Sequence, residues 1–314
     1  MDGFDIQLIP FLKLILLSMV PFILAAQGNM LGGRTGVFSV SQEGSMLVGA
    51  SVGFLAAYKS GNMFVGALAA MGTGALFGLI LAYLTTKWKM NQFVVGLALF
   101  FVGVGVSTLL PKLIIGITLT PPLIPTLQDV AIPLLSKIPF IGEILFNQNI
   151  MVYFAILVSL ALYYFLHKTS FGLALRSVGE NPKAADSLGI NVNRSRYIAT
   201  IVGGMLIGLA GAYLPMVYTG TFTEAMTRGR GWISIALTFF GAWEPINILF
   251  GSMFFAFIEV LAFRFQVGGI GIPYQFLLML PYVATIIVMI FSFGKTGVPA
   301  FLGKNYDREN RSVS

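Results

Sequence analysis

The side chains best suited to bind or react gather in one short stretch. Ser39, Ser41, Gln42 and Glu43 stand side by side at the start of an apolar segment, residues 43–57. Their hydroxyl, amide and carboxylate groups could hydrogen-bond a sugar hydroxyl or the edge of a nucleobase, and an ionisable group in an apolar span usually serves a site. The alternative for Glu43 is structural, because a carboxylate is favourable at the N-terminal end of a broken helix.

Two further charged side chains belong to this set. Arg34 is a candidate ion-pair partner for Glu43. Glu259 lies within a later apolar segment, where we expect it to pair with Arg264 or a backbone group, and direct substrate contact is the alternative. Charged groups inside such segments are costly unless they are paired.

The other reactive residue types argue against catalysis. The chain has no cysteine, which excludes disulfides, thiolate metal sites and a cysteine nucleophile. Its single histidine, His167, ends an apolar run and is interpreted as interfacial. The string 294–296 (GKT) looks like the end of a P-loop, but Met289 stands where that motif needs glycine. We therefore expect no enzyme, no metal site and no ATP site in this chain.

The composition is that of an integral membrane protein. Of the 314 residues, 57% are hydrophobic and 10% are charged, whereas soluble domains carry about 25% charged residues. Apolar runs near 20 residues predict helices rather than barrel strands. Glycine pairs such as Gly74 with Gly78 and Gly204 with Gly208 predict close helix packing. The predicted fold is one all-α polytopic bundle over residues 1–314, with about eight to ten transmembrane segments.

Two of the predicted segments are too short for a simple span. The apolar segments are 9–26, 43–57, 63–84, 93–110, 150–166, 197–217, 231–242, 246–263 and 274–293. Segments 43–57 and 231–242 cover only about 18–22 Å of a roughly 30 Å hydrocarbon core. Such segments indicate discontinuous helices lining a substrate path, unless their limits are drawn too tightly.

Loop charge predicts the topology. Residues 168–196 carry five basic residues against two acidic ones, and Lys87, Lys89 and the tail 294–314 are also basic. The positive-inside rule places these loops in the cytoplasm, so the net charge of +7 does not indicate nucleic-acid binding. Residues 111–148 are balanced in charge and hold six prolines, which predicts an ordered extracellular loop without a regular span.

Alternation along the chain then places the N-terminus outside. Arg228 and Arg230, just before segment 231–242, are interpreted as interfacial anchors or as contacts for an external protein.

A short capped helix is predicted inside 168–196. Asn181 is a good N-cap, Pro182 suits the first helical position, and Gly189 suits the position just past the end. Two turns are marginal alone and need a surface to pack on. Four apolar residues could fill a groove on a soluble partner: Ala184, Ala185, Leu188 and Ile190. The alternative is a solvated connecting loop.

This region resembles a known family. The segment SFGLALRSVGENPKAADSLGINVNRSR (170–196) is similar to the coupling-helix region of ABC importer permeases, in the branch serving simple sugars, nucleosides and branched-chain amino acids. The recurring pattern of that branch falls on Gly172, Arg176, Gly179, Asn181, Ala184, Ala185, Gly189 and Ile190. The segments GGRTGVFSVSQEGSMLVGA (32–50) and GRGWISIALTFFGAWEPINILFGSMFFAFIEVL (229–261) resemble the nucleoside-type group in particular.

The chain also departs from that pattern. Ser39 and Ser41 stand where relatives typically have asparagine and glycine, and Phe100 stands where an asparagine is common. These positions are candidate pathway residues, so the departures bear on the identity of the cargo.

The resemblance implies the membrane subunit of an ATP-binding cassette importer of the plasma membrane, with its C-terminus in the cytoplasm. Its expected partners are an ATPase that binds ATP and Mg²⁺, a second permease, identical or homologous, and an external substrate-binding protein that docks on loops 111–148 and 219–230. No cofactor is expected in this chain. A nucleoside is the expected cargo, with a simple sugar or branched-chain amino acid as alternatives. An ion-driven secondary transporter, using Glu43 and Glu259, is a further alternative.

Overall fold

Long apolar helices dominate the structure. The computed structural model describes residues 2–116, 120–133, 135–267, 273–292 and 297–307. Six helical stretches in these ranges are long and apolar enough to cross a membrane: Leu8–Gly33, Met63–Lys87, Gln92–Ile114, Ile150–Lys168, Val192–Thr219 and Pro245–Gln266. The predicted all-α membrane bundle is confirmed. The string 294–296 and the tail residues 308–314 lie outside the described ranges.

The first half of the chain forms α1 to α5 and a small two-stranded sheet. Its elements are α1 (Asp2–Gly33), α2 (Gln42–Ser60), α3 (Met63–Ala82), α4 (Gln92–Ile114), β1 (Asp129–Ala131), α5 (Ile141–Leu145) and β2 (Asn147–Asn149). A π-helical turn, Tyr83–Lys87, extends α3, and a 3₁₀ turn, Leu135–Lys137, precedes α5. Strands β1 and β2 are antiparallel, with Asp129 opposite Asn149.

The second half contains α6 to α12. These are α6 (Ile150–Lys168), α7 (Ser170–Glu180), α8 (Pro182–Ser187), α9 (Val192–Tyr213), α10 (Arg230–Phe240), α11 (Pro245–Val267) and α12 (Tyr274–Ser292). A π-helical turn, Leu214–Thr219, extends α9. The helix α10 has only 11 residues, about 16 Å, as the short segment 231–242 predicted.

Two predicted limits are wrong. Helix α2 has 19 residues, about 28 Å, so segment 43–57 was drawn too tightly: polar Gln42 and the end at Lys59 and Ser60 also belong to the helix. Pro111 lies inside α4, which continues to Ile114. The remaining part of the predicted loop contains only short elements, in keeping with the absence of a regular span there.

Glycines let the central helices approach at backbone distance, as predicted. A Cβ built on Gly204 of α9 would lie 2.2 Å from the carbonyl oxygen of Gly74 in α3, and one on Gly211 would lie 1.8 Å from that of Met46 in α2. Any larger residue would force these helices apart. Since lipid provides no hydrophobic drive for association, this close packing holds α1, α2, α3 and α9 together as the centre of the bundle.

Candidate functional site: a short capped helix and an intramembrane charge pair

The capped helix predicted from sequence is present as α8. The side chain of Asn181 accepts a hydrogen bond from the backbone N–H of Ala184 at 3.0 Å, and Pro182 is the first helical residue. Gly189 follows with φ +84°, a conformation that favours glycine. Each of these features acts within a few residues, which is why the sequence alone could specify them.

The faces of α8 differ from the expectation. Ala185 is only 1% exposed and packs with Val178 and Val192, with Ile190 beside them, so Ala185 attaches α8 to the permease and does not fill a partner's groove. Leu188 is 81% exposed, and Ala184 is exposed too. These two residues form the outward apolar face of α8.

Helix α7 and its glycines fix this region to the bundle. A Cβ on Gly172 would lie 2.0 Å from the carbonyl oxygen of Phe165, and one on Gly179 would lie 2.2 Å from that of Arg34. Arg176, on the same helix, is half-buried, and its Nε has no hydrogen-bond partner among the described residues. The family pattern at 172 and 179 therefore corresponds to close backbone contact.

The described part of the tail, residues 297–307, packs against the same region. The backbone N–H of Phe301 donates to the carbonyl oxygen of Gly179 at 2.9 Å, and the Tyr306 hydroxyl donates to Asp186 of α8 at 3.0 Å. A cavity of about 660 Å³ lies beside Gly189 and Lys87. From the sequence, only the positive charge of the tail was predicted, and its packing against this region was not.

Glu43 caps the start of a helix, which is the structural alternative considered for it from the sequence. Its Oε1 accepts hydrogen bonds from the Thr227 hydroxyl at 2.6 Å and the Gly229 N–H at 2.8 Å, and its Oε2 accepts one from the Gly231 N–H at 2.7 Å. The carboxylate thus caps the N-terminal end of α10, where negative charge is favourable. The helix that Glu43 caps is α10, whereas Glu43 itself lies in α2.

The predicted pairing of Arg34 with Glu43 is wrong. The Arg34 guanidinium donates to the Glu244 carboxylate and, at 2.9 Å, to the carbonyl oxygen of Trp243. The other oxygen of Glu244 contacts Nε2 of His167 at 2.7 Å. Three side chains from the end of α1, the end of α6 and the α10–α11 turn therefore form one polar cluster.

The other candidates near Glu43 are buried, and their side chains form local hydrogen bonds, although Oε1 of Gln42 has no partner among the described residues. The hydroxyls of Ser39 and Ser41 are 2.8 Å apart, and the Gln42 amide donates to Asn29 at 2.5 Å. The cavity beside them is about 20 Å³, room for about one water molecule. Phe100 packs its ring edgewise on Trp232, with centroids 5.3 Å apart.

Glu259 has a different environment. It forms an ion pair with Arg230 at the start of α10. The predicted pairing of Glu259 with Arg264 or a backbone group is therefore wrong. The interpretation of Arg230 as an interfacial anchor is wrong too. The pair stands in the wall of a cavity of about 620 Å³ between α10, α11 and α12, the α10–α12 cavity. Phe263, Gln266 and Tyr282 also line it. The available sequence signal was a basic residue, Arg230, at the start of one apolar segment and an acidic residue, Glu259, within the next.

The fold is that of a polytopic membrane helix bundle, and comparison with known proteins shows its class. Residues 11–294 match the family described as branched-chain amino acid transport system / permease component, and the chain belongs to this family.

Several curated proteins are similar over nearly the whole chain. The guanosine ABC transporter permease protein NupQ of Bacillus subtilis is 34% identical, over 93% of this chain and 94% of that protein. The nucleoside ABC transporter permease protein NupC of Lactococcus lactis is 35% identical, over 93% and 94%. The putative glucose ABC transporter permease protein TsgC13 of Haloferax volcanii is 30% identical, over 91% and 94%.

A solved structure shares the fold. An inward-facing putative metal-chelate type ABC transporter matches with a TM-score of 0.50 and 16% identity, covering 90% of this chain and 85% of that one. The chain is therefore a multi-pass membrane permease of the ABC transporter class.

Proposed function

We propose that this permease imports nucleosides, driven by ATP hydrolysis in a separate ATPase subunit. The observation that carries the cargo assignment is the full-length similarity, at 34% and 35% identity, to two permeases named for guanosine and nucleosides. A glucose permease follows at 30% identity, so a simple sugar is the second candidate. The branched-chain amino acid named in the family description is the third.

The shape of α8 supports its assignment as the docking element for the ATPase. The helix is capped at both ends, attached to the bundle through Ala185, and presents Leu188 and Ala184 outward. A fixed short helix with an exposed apolar side chain suits a groove on a soluble partner. ATP-driven closure of two ATPase subunits would move this groove and, through α7, shift the bundle between its two access states. The ATPase, and not this chain, binds ATP and Mg²⁺.

The remaining assembly follows from the same assignment. A second permease, identical or homologous, completes the pathway, and a substrate-binding protein delivers the cargo on the opposite side. The bundle then lies in the plasma membrane. Its cytoplasmic side carries the basic loops, α8 and the C-terminus.

The geometry of Glu43 disfavours an ion-driven mechanism. A coupling-ion site needs carboxylate oxygens that are free to bind the ion, and both oxygens of Glu43 already accept hydrogen bonds around the start of α10. Glu259 has one oxygen without a partner among the described residues, but its charge is neutralised by Arg230, whose positive charge opposes a coupling cation there. Neither carboxylate offers the isolated negative charge that Na⁺ or H⁺ coupling would use.

Uptake measurements test the cargo and its energy source. Cells expressing the complete transporter should take up labelled guanosine. Excess unlabelled inosine should suppress the signal, and excess glucose or leucine should not. Uptake should persist with an ionophore while ATP is maintained. Uptake that glucose or leucine suppresses, or that an ionophore abolishes at constant ATP, contradicts the proposal.

A substitution on α8 tests the docking assignment. Leu188→Asp places a charge in the exposed apolar position and should abolish co-purification of the ATPase, together with substrate-stimulated ATP hydrolysis. Ser187→Asp is the matched control, since Ser187 is an exposed neighbour on the same helix, and it should retain both. Normal ATPase capture by a folded Leu188→Asp permease contradicts the assignment.

A further inference from the structure

We propose that the α10–α12 cavity is the place where a nucleoside contacts this chain, with Glu259 and Arg230 recognising its polar edge. The proposal rests on the proposed import of nucleosides and adds a site to it. It also moves the expected cargo contact away from Ser39–Glu43, where the sequence placed it.

The two regions differ in the volume of their cavities. Small-ligand pockets usually have volumes of about 300–1,000 Å³, and the α10–α12 cavity, at about 620 Å³, lies in that range. The cavity lined by Ser39, Ser41 and Gln42 has about 20 Å³. A nucleoside fits the first and cannot enter the second without separating helices that touch at their backbones.

The chemistry of the cavity wall suits a flat polar ligand. Oε2 of Glu259 and Nε of Arg230 are buried and have no hydrogen-bond partner among the described residues. A carboxylate oxygen can accept from a ribose hydroxyl or a ring N–H, and a guanidinium N–H can donate to a base carbonyl. Phe263 and Tyr282 supply aromatic faces, on which a nucleobase can stack. Glu259 and Arg230 line the cavity together with Phe263 and Tyr282, so a polar pair and aromatic side chains lie where the edge and the face of a nucleobase could bind.

Within the cavity wall, Arg230 is neutralised by Glu259. The third charged lining residue, Arg228, is exposed, and Glu43, which lies outside the lining, already occupies the N-terminal end of α10. A helix start that is capped in this way has no positive end free for a phosphate. The site should therefore accept nucleosides and reject nucleotides. An amino-acid zwitterion would have to break the Arg230–Glu259 pair.

Cysteine protection tests the location. The chain has no cysteine, so its Gln266→Cys variant carries one thiol, placed in the cavity wall, and the reaction is followed on this chain within the complete transporter. Guanosine should slow its reaction with a small membrane-impermeant thiosulfonate at least about threefold, whereas guanosine monophosphate, glucose and leucine should not. Gln275→Cys on exposed α12 surface, outside the cavity lining, is the matched control and should react at one rate with or without guanosine.

Glu259→Gln tests the chemistry. The amide keeps the size of the side chain but loses the charge-assisted acceptor, so guanosine uptake per folded transporter should fall about tenfold to a hundredfold. Co-purification of the ATPase with the variant would show that the transporter is assembled.

The two levels of the proposal fail in different ways. If the wild-type transporter takes up no nucleoside, the proposed function is wrong. If it takes up guanosine but guanosine protects neither cysteine, or protects both equally, the function stands and the site is wrong. Protection by glucose with no protection by guanosine would overturn both.

Discussion

Glu43 and Glu259 are both carboxylates inside the bundle, and both are candidates for cargo contact on sequence alone. In the structure, Glu43 accepts hydrogen bonds from one hydroxyl and two backbone N–H groups at the start of α10. Glu259 pairs with Arg230 but keeps one oxygen without a partner among the described residues, next to a cavity of about 620 Å³. One carboxylate is fully used by the fold, and the other has capacity left for a ligand.

This difference shows how an intramembrane charge should be interpreted. The presence of the charge indicates importance, because burying it is costly. The number of its hydrogen-bond sites already filled, and the space beside it, indicate whether its role is structural or functional. On both counts Glu43 belongs to the fold, and the α10–α12 cavity is the proposed place of the cargo. Oε1 of Gln42 is also without a partner among the described residues, but the cavity beside it has only about 20 Å³.

Glu43→Ala should have the largest effect. It leaves two buried backbone N–H groups and a hydroxyl at the start of α10 without their acceptor, which should destabilise the folded state by about 3 kcal/mol or more. The measurement is the fraction of monodisperse protein that survives heating in detergent. Uptake of every cargo should fall with the folded fraction.

Glu143→Ala is the control for this experiment, because Glu143 lies on the exposed loop helix α5 and its loss should leave the melting profile unchanged. A stable Glu43→Ala protein that loses guanosine uptake alone would reverse the roles assigned to the two carboxylates.

Phe263→Ala should have an intermediate effect on uptake and little effect on folding. Base–aromatic stacking is worth about 1–3 kcal/mol, so the apparent affinity for guanosine should fall about tenfold. Competition assays with labelled guanosine measure this change. Phe276→Ala, an equally exposed phenylalanine on α12 outside the cavity lining, should behave as wild type. Equal losses in both variants would remove the evidence for stacking.

The double change Ser39→Ala with Ser41→Ala should have the smallest effect. The two hydroxyls bond each other at 2.8 Å in a space that admits about one water molecule, so removing both deletes this mutual bond and costs a further contact, from the Ser41 N–H to Ser39. Guanosine uptake should change less than about twofold. A tenfold loss with a normal melting profile would place the cargo at this segment after all.

The sequence specified the parts of the molecule whose causes are local. Helix α8 was predictable because its N-cap at Asn181, its first-turn Pro182 and its terminal Gly189 act across a few residues. The short length of α10 and the long apolar helices follow from runs of residue type in the same way.

The partners of the charged side chains depend on distant parts of the chain. Glu43 meets residues more than 180 positions away, and Arg34 meets Glu244, so periodicity and spacing contain no information on these pairings. The inward face of Ala185 likewise depends on Val178 and Val192 across a turn. The cavity follows from how α10, α11 and α12 pack, which no single segment determines.

Photoaffinity labelling compares the two regions in one measurement. The complete transporter is irradiated with 8-azidoguanosine, with and without excess guanosine, and the modified peptides are identified by mass spectrometry. Guanosine-sensitive labelling is expected in the segments 228–233, 259–266 or 277–282, which contain residues that line the α10–α12 cavity. Guanosine-sensitive labelling confined to residues 28–45, around Ser39 and Glu43, would contradict this expectation.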